Sequence, residues 1–157
     1  MKWTSIRTYP MNHLRVIILV CLSLPMSLIG QESTTLITWD DLMDVSYTTI
    51  FDEEAGYVYM KPTYGQNLQE LNGKRITIKG YVLPMDTEGT LYALSAFPYT
   101  SCFFCGGGTR ESVVELWLSD LDKRFKLDEV LTFEGELYLN EEQHGLNYIL
   151  KEARPKE

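Results

Sequence analysis

The chain has 157 residues with 14 Lys/Arg against 22 Asp/Glu, a net charge of −8, and 45% apolar residues. That is enough for one ordinary domain with a real core and too little for two. An excess of acid on this scale repels phosphate backbones, so nucleic acid is excluded as a partner.

The first residues read as an export signal. Lys2, Arg7, His13 and Arg15 precede the apolar run from Val16 to Ile29, and no acidic residue occurs before Glu32. A basic head, a short apolar run and a small residue at Gly30 describe a cleaved secretory signal peptide over residues 1–30. A span needs about 20 apolar residues, and this run is shorter and interrupted by Pro25, so no integral membrane protein is expected after processing. Cys21 lies inside the run and leaves with it. Removing Lys2, Arg7 and Arg15 takes the mature chain to −11. The location this implies is the periplasm.

Residues 31–70 read as an N-terminal extension. After a polar lead, Thr38 caps a short helix expected over Trp39 to Val45, with Asp40 and Asp41 in its first turn and Trp39, Leu42 and Met43 at helical spacing. Tyr57 to Met60 is a short β-prone run closed by a turn at Lys61-Pro62, and Leu68 to Gly73 is a single helical turn stopped by Asn-Gly. From Lys74 the period changes to two. Strands are expected over 75–83, 91–97, 112–118, 130–139 and 146–150. Gly80 and Gly135 fall inside the two long strands, where glycine lets a strand bend around a barrel corner.

The pattern predicts a mostly β fold: a small five-stranded OB-like barrel over residues 71–150, one short N-terminal helix packed outside it, and a polar tail at 151–157. An immunoglobulin-like sandwich, the runner-up, wants about seven strands. Ile76, Ile78, Leu94, Val114, Leu116, Leu131, Phe133, Leu137 and Ile149 are the expected core, with Tyr81 joining Ile76 and Ile78 after a kink at Gly80.

Chemistry concentrates at Cys102-Phe103-Phe104-Cys105, followed by Gly106-Gly107-Gly108. Three readings fit an oxidising compartment. The pair closes a small disulfide, holds a soft metal such as zinc or copper, or cycles between thiol and disulfide. A metal needs more ligands, for which Glu111 and His144, the one histidine outside the signal, are the candidates. Redox catalysis is disfavoured, because three glycines followed by a strand cannot begin the helix that lowers a thiol pKa. No Ser-His-Asp set, phosphate loop or dinucleotide fingerprint occurs, so an enzyme is not expected.

Gly80-Tyr81-Val82-Leu83-Pro84-Met85, followed by Pro98-Tyr99-Thr100-Ser101-Cys102, resembles an uncharacterised family of exported bacterial domains of unknown function. The resemblance covers roughly residues 71–150. It implies a Gram-negative envelope location and an OB-like fold. Some relatives are encoded beside ABC-transport components linked to metal supply, which implies a metal ion or an envelope protein, such as an ABC-transport component, as partner. Cys102 matches the family pattern directly; Cys105 stands where that pattern continues with histidine and prolines. Two functions follow: a periplasmic binding or accessory protein in zinc or copper handling through Cys102, Cys105, Glu111 and His144, or a non-catalytic envelope interaction module whose Cys102–Cys105 pair is a structural disulfide.

Overall fold

Residues 33–54, 56–142 and 144–156 are described by the structure, a computed structural model. The signal peptide expected over residues 1–30, with Cys21, lies outside the described residues. The elements are β1 (Thr35–Leu36), a 3-10 turn (Asp40–Met43), β2 (Val45–Asp52), β3 (Tyr57–Tyr64), α1 (Gln66–Leu71), β4 (Arg75–Pro84), β5 (Tyr92–Ser95), β6 (Val113–Leu118), β7 (Val130–Leu139) and β8 (Tyr148–Pro155), with further 3-10 turns between β5 and β6.

Five strands close into a barrel in the order β4-β5-β6-β8-β7, and β7 returns to pair with β4. Every pairing in the ring is antiparallel except β6 with β8, which is parallel. That is the five-stranded Greek-key order of an OB-like barrel. The alternation read from the sequence fills it. Ile76, Ile78, Leu94, Val114, Phe133 and Leu137 are fully buried, and Leu116 and Ile149 nearly so. Leu131, expected with them, is only half-buried.

Gly80 does not shift the parity of β4. Ile76, Ile78, Gly80 and Val82 share the inner face, so Val82 is fully buried and Tyr81 is half-buried on the other side. Gly80 is required by close approach. A Cβ there would lie 2.5 Å from the Ser95 carbonyl oxygen and 2.8 Å from the Trp39 ring. The Trp39 indole crosses this gap and donates to the Lys79 carbonyl at 2.8 Å.

The N-terminal extension departs most from expectation. The helix over Trp39 to Val45 is instead a single 3-10 turn, and Val45 already begins β2. Thr38 does not cap it with its own side chain; its N–H and hydroxyl both donate to Asp41 at 2.7 and 2.8 Å. Nor does the segment merely lie outside the barrel, because Leu42 is fully buried in the main core. β3 runs through Lys61-Pro62 without a turn and pairs along its whole length with β2, a strand the sequence did not announce. Pro62 is tolerated because this two-stranded ribbon leaves strand edges unpaired.

The ribbon's base is anchored by tyrosine hydroxyls. Tyr64 donates to the carbonyl of Asn140 at 2.6 Å and lies 2.9 Å from that of Asn147, and Tyr148 donates to the Leu42 carbonyl at 2.6 Å. At the other end of the chain, residues 151–155 are not a polar tail. They extend β8, which pairs with β7 as far as Phe133↔Pro155.

Candidate functional site

The cysteines lie in the connection between β5 and β6, which is built of short 3-10 turns at Tyr99–Ser101, Phe103–Cys105 and Arg110–Ser112. Leu83, Ala93 and Val113 occupy outward positions on β4, β5 and β6, and would be an exposed apolar patch without a cover. The loop covers them. Cys102 is fully buried in a small satellite core with these three, and Phe103 and Leu146 pack against it.

The Cys105 N–H donates to the Cys102 carbonyl at 3.1 Å, closing the turn. Gly106 then takes φ +79°, which relieves the turn at no steric cost. Both cysteines are thiols here, Cys102 buried and Cys105 exposed. Partial desolvation, a hydrogen bond shared with the Cys102 thiol and that group's charge push the Cys105 thiol up, with Tyr99 pulling weakly the other way.

The remaining candidate ligands are elsewhere. Glu111 is buried and belongs to a hydrogen-bonded cluster beneath the β2–β3 ribbon. The Asn147 amide donates to the Tyr47 hydroxyl at 2.6 Å, and Tyr47 bonds Glu111 in turn. Burial pushes the Glu111 carboxyl up, but hydrogen bonds from Thr109 and Tyr47 and the nearby Arg110 charge outweigh it, and the net direction is down. His144 is exposed in the β7–β8 loop, its ring 6.4 Å from that of Tyr57. Among the described residues no three His, Cys, Asp or Glu side chains cluster closely enough to hold a metal ion. The structure therefore keeps Cys102 and Cys105 together and separates both from the shell that Glu111 and His144 were expected to complete. Two residues close in sequence at 102 and 111 diverge because the loop turns Glu111 under the ribbon.

The depressed Glu111 carboxyl carries a pH prediction. A group whose folded pKa is lowered stabilises the fold above its ordinary value near 4.5, and that contribution is lost as pH falls through the folded value. Glu111→Gln is expected to be less stable than the parent at pH 6–7. The gap should close as the pH is taken to 3 and below, read by urea unfolding across that range. A gap independent of pH would mean that the carboxylate charge is not what matters.

What the sequence did not signal is the surface beside the loop. Met85 and Leu91 from the β4–β5 connection, Ala93 of β5, Phe103 and Phe104 from between the cysteines, and Leu146 of the β7–β8 connection line a cavity of about 500 Å³, with Arg110 and Glu115 as its charged members. The Arg110 guanidinium lies over the Phe103 ring, 5.8 Å from its centre. An OB barrel takes ligands on the face of its second and third strands, between the first-to-second and fourth-to-fifth loops. Here those elements are β5, β6 and the connections that supply Met85, Leu91 and Leu146. The size falls within the range of small-molecule sites. Phe103 and Phe104 could have been singled out as two large apolar residues in a glycine-rich loop.

No helix of the described residues is long and apolar enough to cross a membrane. No protein-family model matches the chain, and no curated protein is similar to it. The chain is similar in structure to a DUF3299 family protein from Pseudomonas aeruginosa PAO1, with a TM-score of 0.49, 14% identity, and coverage of 80% of this chain and 97% of that one.

Proposed function

We propose that the chain is an exported, non-catalytic binding module of the bacterial envelope that takes its ligand in the groove over β5 and β6. The observation that carries this reading is the coincidence of an apolar cavity of about 500 Å³ with the ligand-binding face of the barrel topology. Cys102 and Cys105 act as a structural pair that holds the Phe103-Phe104 wall of that groove. A turn closed by an i to i+3 hydrogen bond keeps its Cα atoms under about 7 Å, which overlaps the span a disulfide bridges. An exporting compartment favours closing it. Zinc or copper handling has less support, because two sulfurs without a third clustered ligand make half a site.

The chain isolated from periplasm is expected to begin near Gln31 by intact mass, to carry no stoichiometric metal, and to resist alkylation at Cys102 and Cys105 until reduced. One zinc or copper per chain, with both thiols protected by the metal and the metal lost in Cys102→Ser, would overturn the structural assignment of the pair.

A further inference from the structure

A second cavity adjoins the first. Glu115, Trp117, Tyr138, Glu142, His144 and Lys151 line about 240 Å³ of space, and Glu115 and Gly145 belong to both cavities. The register explains the adjacency. Val113, Glu115 and Trp117 alternate on the outer face of β6, and Glu115 pairs with Ile149 of β8, which pairs with Tyr138 of β7. Successive outward positions therefore pass from the covered satellite core, through the apolar chamber, to an aromatic and polar one.

The chemistry of the two chambers differs. The first is walled by Met85, Leu91, Phe103, Phe104 and Leu146, as an alkyl chain requires. In the second, the Trp117 indole N–H is already donated to Glu115 at 2.8 Å, which leaves its ring as a surface, 48% exposed. The Lys151 ammonium sits 3.6 Å from the centre of the Tyr138 ring and 5.6 Å from that of Trp117, in cation–π contact with both. Two carboxylates, Glu115 and Glu142, face the same space. With two carboxylates against the one ammonium of Lys151, a phosphate or carboxylate headgroup would meet net negative charge there. A neutral head rich in hydroxyls suits them, since hydroxyls donate to carboxylates while the C–H face of a sugar ring packs on an aromatic ring.

From this we infer that the joined cavities bind a neutral glycolipid-type amphiphile, with its alkyl or acyl chain among Phe103, Phe104 and Leu146 and its sugar head against Trp117, Glu115 and Glu142. The inference rests on the reading of this face as a binding groove and adds the class of ligand.

Decyl maltoside below its micelle concentration is the probe, titrated calorimetrically into the mature protein, with decanoate and maltose as the two halves of the molecule. Saturable one-to-one binding is expected, at least tenfold tighter than either half. Phe104→Asp should weaken it at least tenfold, and Trp117→Leu should reduce it to the affinity of decanoate. Both side chains are substantially exposed, so thermal unfolding should be nearly unchanged in both variants. As a readout free of substitutions, the intrinsic tryptophan emission of the parent protein should change saturably with decyl maltoside. Absence of binding overturns the inference, as does decanoate binding as tightly as the glycoside, or affinity indifferent to both substitutions. Decanoate binding as tightly as the glycoside would overturn the class of ligand and leave the binding groove standing, whereas binding of neither would count against the groove itself.

Discussion

Phe133→Ala is expected to destabilise the protein by about 4 kcal/mol, the range for truncating a buried aromatic residue to alanine. Phe133 is fully buried on the inner face of β7. Its ring meets that of Phe125 edge-on at 5.4 Å, and Phe125 meets Tyr92 edge-on, again at 5.4 Å. The Tyr92 hydroxyl also accepts the Phe125 N–H at 3.3 Å, so the stack ties the long β6–β7 connection down onto the barrel. Removing the first ring leaves a cavity in the core and withdraws the surface on which the connection rests. The midpoint of thermal unfolding should fall by roughly 15 °C, at about 4 °C per kcal/mol for a chain of this size. A loss below about 1 kcal/mol would mean that the barrel collapses freely into the space, and that the stack does not organise it.

Gly80→Val has the opposite physical origin and an expected cost of about 3 kcal/mol, at the upper end of ordinary overpacking. The position offers no room: a Cβ would press on the Ser95 carbonyl at 2.5 Å, the Trp39 ring at 2.8 Å and the Leu94 Cγ at 2.9 Å. One of these neighbours is backbone and cannot rotate away, and moving the Trp39 ring would break its hydrogen bond to Lys79. The variant should show a lower urea midpoint and a shift in tryptophan emission, because Trp39 is the ring displaced. Unchanged emission together with unchanged stability would show that β4 can move away from β5 without cost. A Cβ at Gly135 would lie 2.6 Å from the Lys151 carbonyl oxygen and 2.8 Å from the Leu150 Cγ, so substitution there belongs to the same class.

The two glycines also show what kind of information was legible. Their occurrence inside alternating apolar runs marked bent barrel strands, since a glycine in a strand interior signals a corner or a close approach. Which neighbour approached was not readable: Trp39 is 41 positions from Gly80. The same holds for Val45 to Asp52. Its Val, Tyr, Thr, Ile and Phe residues favour a strand, but a strand needs a partner, and it forms because Tyr57 to Tyr64 pairs with it residue by residue. Propensity is a weak prior where pairing supplies the hydrogen bonds.

The cysteine loop divides in the same way. Two sulfurs three positions apart were visible as a unit, because a single turn joins them. Glu111 and His144 were assigned to that unit on residue type alone, yet a carboxylate's role depends on what faces it. Glu111 faces Tyr47, from a ribbon more than 60 residues earlier. The groove was illegible for a related reason. Its walls come from three connections and two strands, and apolar residues such as Met85, Leu91 and Leu146 look like ordinary loop or core positions until the barrel closes.

Local pattern suffices for the barrel: periodicity of two sets which side chains face inward, and five such runs with two interior glycines admit few closures. The site, by contrast, exists only once distant segments meet. Periodicity records which face of a strand is apolar, whereas a binding surface is made by residues distant in the chain, brought together when loops fold over the outward face.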